Sequence, residues 1–88
     1  MSEEDVLMAI HEIKTEMEKL YELQRKLIEE EKREESEKRK EILDKRIWEI
    51  EGEILGLHHA CKVVRNRFIE SMPYLEKETC EVIKEGKV

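Results

Sequence analysis

The sequence contains two runs of apolar residues with heptad spacing, separated by thirteen residues, 29–41, that include no hydrophobic side chain. Spacings that alternate between four and three residues are typical of a helix that packs against another helix along one seam. The first seam comprises Val6, Ile10, Ile13, Met17, Leu20 and Leu27, and the second comprises Leu43, Ile47, Ile50, Ile54, Leu57, Cys61, Val64 and Phe68. Continuing the first seam would reach position 41 rather than 43. This offset between the seams favours two separate helices.

The composition is that of a helical chain. Charged residues make up 45% of the 88 residues and hydrophobic residues 39%, with only 3 Gly and 1 Pro. So few turn-forming residues argue against a sandwich, a barrel or an open sheet. The apolar content is too high for a disordered polyelectrolyte. We therefore predict an all-α fold in a single domain over residues 1–88.

The pattern predicts a hairpin with a short third helix. The predicted elements are a helix over about 3–34, a charged connection over about 29–41, a helix over about 38–71 and a short helix over about 74–85. A turn near Ser36 would place the seams together as an antiparallel, coiled-coil-like hairpin, and two hairpins would dimerise into a four-helix bundle. The alternative is one continuous helix in a dimeric coiled coil, which the absence of Gly, Asn and Pro from the turn favours.

The second helix carries apolar and small residues away from its seam. A glycine inside a helix costs about 1 kcal/mol relative to alanine, so Gly52 and Gly56 call for an explanation. Small residues permit close approach by another helix, whereas the alternative is a tolerated weak point. The predicted interface with a second copy, or with another protein, comprises Trp48, Gly52, Leu55, Gly56, Ala60, Val63 and Ile69.

The charge distribution disfavours nucleic acid as a partner. The chain contains 17 Lys and Arg residues and 23 Asp and Glu residues, which gives a net charge of −6. Binding to a phosphate backbone requires clustered cations. The one locally basic stretch, Lys62, Arg65 and Arg67, is interpreted as a solvated helix end. No apolar run reaches the ~18 residues that span a bilayer, and the acidic N-terminus is unlike a signal peptide. We expect a cytoplasmic protein with no membrane partner. Its cysteines should be reduced by default, with the exception of a hyperthermophilic source, with which the high Glu and Lys content is consistent.

A cluster of histidine and cysteine provides an alternative function. His58, His59 and Cys61 lie within four residues, and Cys80 could fold back from the third helix. Imidazole and thiolate are zinc ligands, so a metal- or thiol-dependent regulator using His58, Cys61 and Cys80 is one alternative. A Cys61–Cys80 disulfide is a further possibility for the same cysteines. The sequence leaves it open, since it does not determine whether the two Cα atoms lie at the required separation of about 5.5 Å. Cys61 also suits a small buried hydrophobe, and we predict no metal and no cofactor.

No arrangement of catalytic residues is evident: the chain has neither the Glu-x-x-His motif of di-iron bundles nor a glycine-rich phosphate loop. Three helices of decreasing length are similar in outline to the small all-helical chorismate mutases. That resemblance implies an intertwined dimer that binds a dicarboxylate through cations, for which Arg25 and Arg46 are available, with His11 in place of the first-helix arginine. We predict instead a non-enzymatic oligomerisation or interaction module, an adaptor, regulator or scaffold whose charged segment faces a partner.

Overall fold

The computed structural model describes residues 2–82, which form two long helices and one short helix. Helix α1 spans Glu3–Arg33, α2 spans Glu37–Phe68, and a 3₁₀ helix spans Pro73–Lys77. The long helices pack against each other with a turn between them, and the longest dimension of 54 Å falls well short of the ~100 Å of a continuous helix. The predicted helical hairpin is therefore confirmed, and the alternative of one continuous helix is wrong.

Helix α1 begins at Glu3 because Ser2 and Asp5 cap it reciprocally. The backbone N–H of Asp5 donates to the Ser2 hydroxyl at 3.2 Å, and the Ser2 N–H donates to the Asp5 carboxylate at 3.4 Å. This capping box satisfies backbone donors that have no partner inside the helix. The carboxylates of the first turn also complement the positive end of the helix dipole.

The connection between α1 and α2 turns without glycine. Glu34 and Ser36 have φ angles of −78° and −77° in an extended conformation that any residue adopts. The Ser36 hydroxyl accepts from the Arg39 N–H at 3.4 Å and caps α2, while the Glu34 carboxylate accepts from the Ser36 N–H at 3.2 Å. The helices are joined by Glu34, Glu35 and Ser36, so the absence of Gly, Asn and Pro does not oppose a hairpin.

The two predicted seams form the core. One cluster of buried residues consists of Met17, Ile50 and Ile54, and a second, at the open end of the hairpin, consists of Val6, Ile10, Cys61, Met72, Leu75 and Cys80. Gln24 occupies a polar position in the first seam, and its side-chain amide donates to the Ile47 carbonyl at 3.2 Å and to the Glu51 carboxylate at 2.9 Å. The polar seam position is thus satisfied by hydrogen bonds. No helix among residues 2–82 is apolar over a stretch long enough to cross a bilayer.

The predicted third helix over 74–85 is wrong in type and extent. The 3₁₀ helix ends at Lys77, residues 78–82 are not helical, and positions 83–85 lie outside the described residues. The second helix likewise ends at Phe68, before the predicted boundary near 71. A contact from α2 reaches the backbone carbonyls of this third element and of the residue that follows it.

That contact is made by Arg65. Its Nε donates to the carbonyls of Leu75 at 3.0 Å and Glu78 at 2.7 Å, and its Nη2 donates to the carbonyl of Glu76 at 3.3 Å. The Leu75 carbonyl also accepts from the Glu78 N–H at 3.0 Å, which is the i→i+3 hydrogen bond of a 3₁₀ helix. The interpretation of Arg65 as part of a solvated helix end is therefore wrong: Arg65 fixes the C-terminal segment to α2.

Arg65→Lys is expected to lower the free energy of unfolding by about 2 kcal/mol, because one ammonium cannot bind the three carbonyls that the guanidinium fork reaches. Arg67→Lys is the matched control, since Arg67 is exposed and has no hydrogen bond or ion pair within the described residues. Urea denaturation followed by circular dichroism measures both variants. Equal unfolding free energies for the two variants would contradict this role for Arg65.

Tyr74 packs against the cluster at the open end of the hairpin. Its hydroxyl is buried and has no hydrogen-bond partner among residues 2–82. Burial raises the pKa of the Tyr74 phenol above its usual value, and the negative charge of Glu3 raises this pKa further. Both effects favour the neutral phenol, which suits a side chain that packs against apolar neighbours.

Candidate functional site

Helix α2 presents an apolar face to solvent on the side opposite its seam. Trp48, Leu55 and Val63 are 66%, 60% and 51% exposed. Two glycines and a histidine lie between them along the same side of the helix, since their spacing follows the helical repeat. We define the outer face of α2 as Trp48, Gly52, Leu55, Gly56, His59 and Val63. Single exposed apolar residues are ordinary, whereas a row of them along one side of a helix makes that side a candidate interaction site.

The centre of the outer face is bare backbone. A Cβ atom added at Gly52 or at Gly56 would have nothing within 4 Å. Each glycine costs the helix about 1 kcal/mol relative to alanine, and no packing within the described residues uses the space that the missing side chains leave. Within the described residues, no contact at the two glycines offsets this cost.

Charged residues border the outer face unevenly. The Arg46 guanidinium lies 3.6 Å from the Glu49 carboxylate and 3.2 Å from the Glu53 carboxylate, all in the N-terminal half of α2. Lys62 and Arg67, in the C-terminal half, are exposed and have no ion pair within the described residues. The face thus has paired acidic residues near one end and unpaired cations near the other.

Of the residues predicted to form an interface, five lie on the outer face: Trp48, Gly52, Leu55, Gly56 and Val63. Ala60 is half-buried at its edge. Ile69 is half-buried as well and packs against the core cluster at the open end of the hairpin. His59 is exposed on the outer face. From the sequence it is grouped with His58 and Cys61 and not with the interface residues, although its spacing of four residues from both Leu55 and Val63 assigns it to this side of the helix.

The histidines and cysteines do not form a ligand set. Cys61 and Cys80 form a disulfide with a Cα separation of 5.9 Å, so the expectation of reduced cysteines is wrong and neither side chain offers a thiolate. The Nε2 atom of His58 lies 3.3 Å from the Glu81 carboxylate, whereas His59 is exposed. Within residues 2–82, no three His, Cys, Asp or Glu side chains are grouped so that they could hold a metal ion.

The disulfide belongs to a set of contacts that fasten the C-terminal segment across the open end of the hairpin. The His11 Nε2 atom lies 2.8 Å from the Glu78 carboxylate, so the segment contacts α1 as well as α2. Arg65 and His58 provide the contacts on α2. Sequence reasoning missed Arg65 and the partner of His11, because no periodic pattern links residues so far apart in the chain.

The cations that the chorismate mutase resemblance offers make separate contacts within the hairpin. Arg46 contacts Glu49 and Glu53 on its own helix, while His11 contacts Glu78 at the open end of the hairpin. The Nε atom of Arg25 is buried and has no hydrogen-bond partner among the described residues. Two of the three groups are thus paired with carboxylates of the chain itself.

Comparison with known proteins gives no relative: no family model, no curated protein and no solved structure matches the chain.

Proposed function

We propose that the chain is a non-enzymatic self-association module, in which two hairpins pair through the outer face of α2 into an assembly of four helices. The observation that supports this function is the exposed stripe of Trp48, Leu55 and Val63 around two glycines with open space above them. Large aromatic and aliphatic side chains beside a bare backbone are the ingredients of close helix–helix packing. No such stripe is needed for the fold of one hairpin, whose seams already pack against each other.

The hydrophobic effect supplies the driving force in this proposal. Removing a Leu or Val side chain from water contributes about 1.5–3 kcal/mol when it is fully buried, and a symmetric dimer counts each residue twice. In the dimer, side chains of the second hairpin would fill the space above Gly52 and Gly56. The same two glycines that weaken an isolated helix would then strengthen the assembly by shortening the distance between the helix axes.

In this role the charged segment at the tip of the hairpin, residues 29–41, presents a solvated surface to a partner protein, as in an adaptor, a regulator or a scaffold. Its side chains are largely exposed around the turn. We also propose a cytoplasmic location. A structural disulfide persists in that compartment in hyperthermophiles, whose proteins are typically rich in Glu and Lys like this one.

Sedimentation velocity tests the proposed function directly. At micromolar concentration we expect a species of twice the 10.6 kDa mass of the chain. Dilution should shift the population towards the monomer by mass action, which distinguishes a reversible dimer from an aggregate. A monomer at every concentration would overturn the proposal.

A further inference from the structure

The outer face of α2 has a symmetric order of residues. Trp48 and Val63 are equally distant from the midpoint between Leu55 and Gly56, and Gly52 and His59 are equally distant from it as well. A two-fold axis that passes through this midpoint would bring each large residue level with a residue of the same stripe on the other copy. Only an antiparallel pair uses this order, because a parallel pair places every residue beside itself.

The charges of α2 differ between the two sides of the same midpoint. Residues 42–55 contain two cations against four carboxylates, Asp44, Glu49, Glu51 and Glu53. Residues 56–69 contain three cations and no carboxylate: Lys62 and Arg67 border the outer face, whereas Arg65 binds the C-terminal segment. An antiparallel pair places the acidic half of each helix over the basic half of the other, whereas a parallel pair places like charge over like charge.

Complementary charges also share the same edges of the outer face. Asp44, Glu51 and Lys62 follow one edge, because spacings of seven and eleven residues complete two and three helical turns. Glu49 and Arg67 follow the other edge, since eighteen residues complete five turns. In an antiparallel pair each edge of the outer face lies against the same edge of the second copy, which runs in the opposite direction. Lys62 then lies near Glu51 and Asp44 of the second copy, and Arg67 lies near Glu49 of the second copy.

The position of the glycines fits this axis. Gly52 and Gly56 lie next to the midpoint, where two helices that cross come closest together. The absence of any atom within 4 Å of an added Cβ leaves room there for Leu55 of a second copy. The open backbone therefore lies at the point of closest approach rather than at an end of the interface.

We infer that the occupant of the outer face is a second copy of this chain in antiparallel orientation, with the two-fold axis passing between Leu55 and Gly56. This inference rests on the proposed self-association and adds its geometry. Salt would weaken the pair because the flanking charges attract across the interface. Four α-helices result, with the two α2 helices adjacent at the centre and the two α1 helices outside.

Spin labels on Lys45→Cys test the orientation, since Lys45 is exposed, has no ion pair within the described residues and lies near one end of the face. Double electron–electron resonance should give about 30 Å between the two labels of an antiparallel dimer, against about 10 Å in a parallel dimer. Asn66→Cys, at the mirror position, should give the same value of about 30 Å. The chain's own cysteines stay paired and unlabelled under non-reducing conditions.

Sedimentation of each labelled sample separates the two possible failures. A monomer would overturn the proposed function and the orientation with it. A dimer with labels about 10 Å apart would leave self-association standing and overturn the antiparallel geometry. A dimer with both label positions at about 30 Å supports the inference.

Discussion

Leu55→Asp is expected to raise the dissociation constant of the dimer at least about 100-fold, because the loss of about 1.5 kcal/mol of burial in each copy amounts to two decades of affinity. The new carboxylate would also lie beside the two-fold axis, close to its equivalent in the second copy. Leu55 is 60% exposed and belongs to neither core cluster, so the fold of the hairpin should survive. Sedimentation equilibrium measures the affinity, and circular dichroism measures the helix content.

Met8→Asp is the matched control for this variant. Met8 has the same exposed fraction of 60% but lies on α1, away from the outer face. We expect it to leave the dissociation constant unchanged. If both variants weakened the dimer equally, the outer face would not be the interface; if neither did, Leu55 would have no part in association.

Reduction of the Cys61–Cys80 disulfide is expected to lower the free energy of unfolding by about 3 kcal/mol, since the bond closes a loop with a sequence separation of 19 residues. Unfolding of the reduced chain should begin at the open end of the hairpin. Both cysteines are buried there beside Val6, Ile10 and Leu75. Urea denaturation of the oxidised and reduced chain measures the difference, and limited proteolysis should show earlier cleavage within residues 70–82 of the reduced chain.

The control is the double variant Cys61→Ala/Cys80→Ala, which removes both thiols. Its unfolding free energy should lie below that of the oxidised chain and should not change when reductant is added. If the oxidised and reduced wild-type chains had the same urea midpoint, the stabilising role of the disulfide would be contradicted. A reductant effect that persisted in the double variant would show that the reagent acts elsewhere.

The helical hairpin could be predicted because its causes are local and periodic. Ile10, Met17, Ile50 and Ile54 recur at heptad spacing, so each helix reveals its buried side without reference to the other. The turn was harder to predict, since Ser36 acts as a cap rather than as a turn former and the surrounding backbone is extended. The offset between the seams nevertheless pointed to two helices rather than one.

The residues that form the outer face could also be predicted from the sequence, but their exposure to solvent could not. Trp48, Leu55 and Val63 lie off the seam by their spacing alone. Whether the C-terminal segment covers them depends on where that segment packs, and helical periodicity is silent on that question. The structure places residues 73–82 between His11 on α1 and Cys61 on α2, so that within residues 2–82 the outer face is exposed.

The sequence by itself determined the two helices, their facing sides and the absence of a hydrophobic residue at the tip, because these follow from residue types at fixed short spacings. Only the tertiary structure decided the course of residues 73–82. Arg65 donates to three backbone carbonyls of this segment and Cys61 is bonded to Cys80, so contacts between distant positions hold the segment against the hairpin. Such contacts depend on distances in space, which the order of residues does not contain.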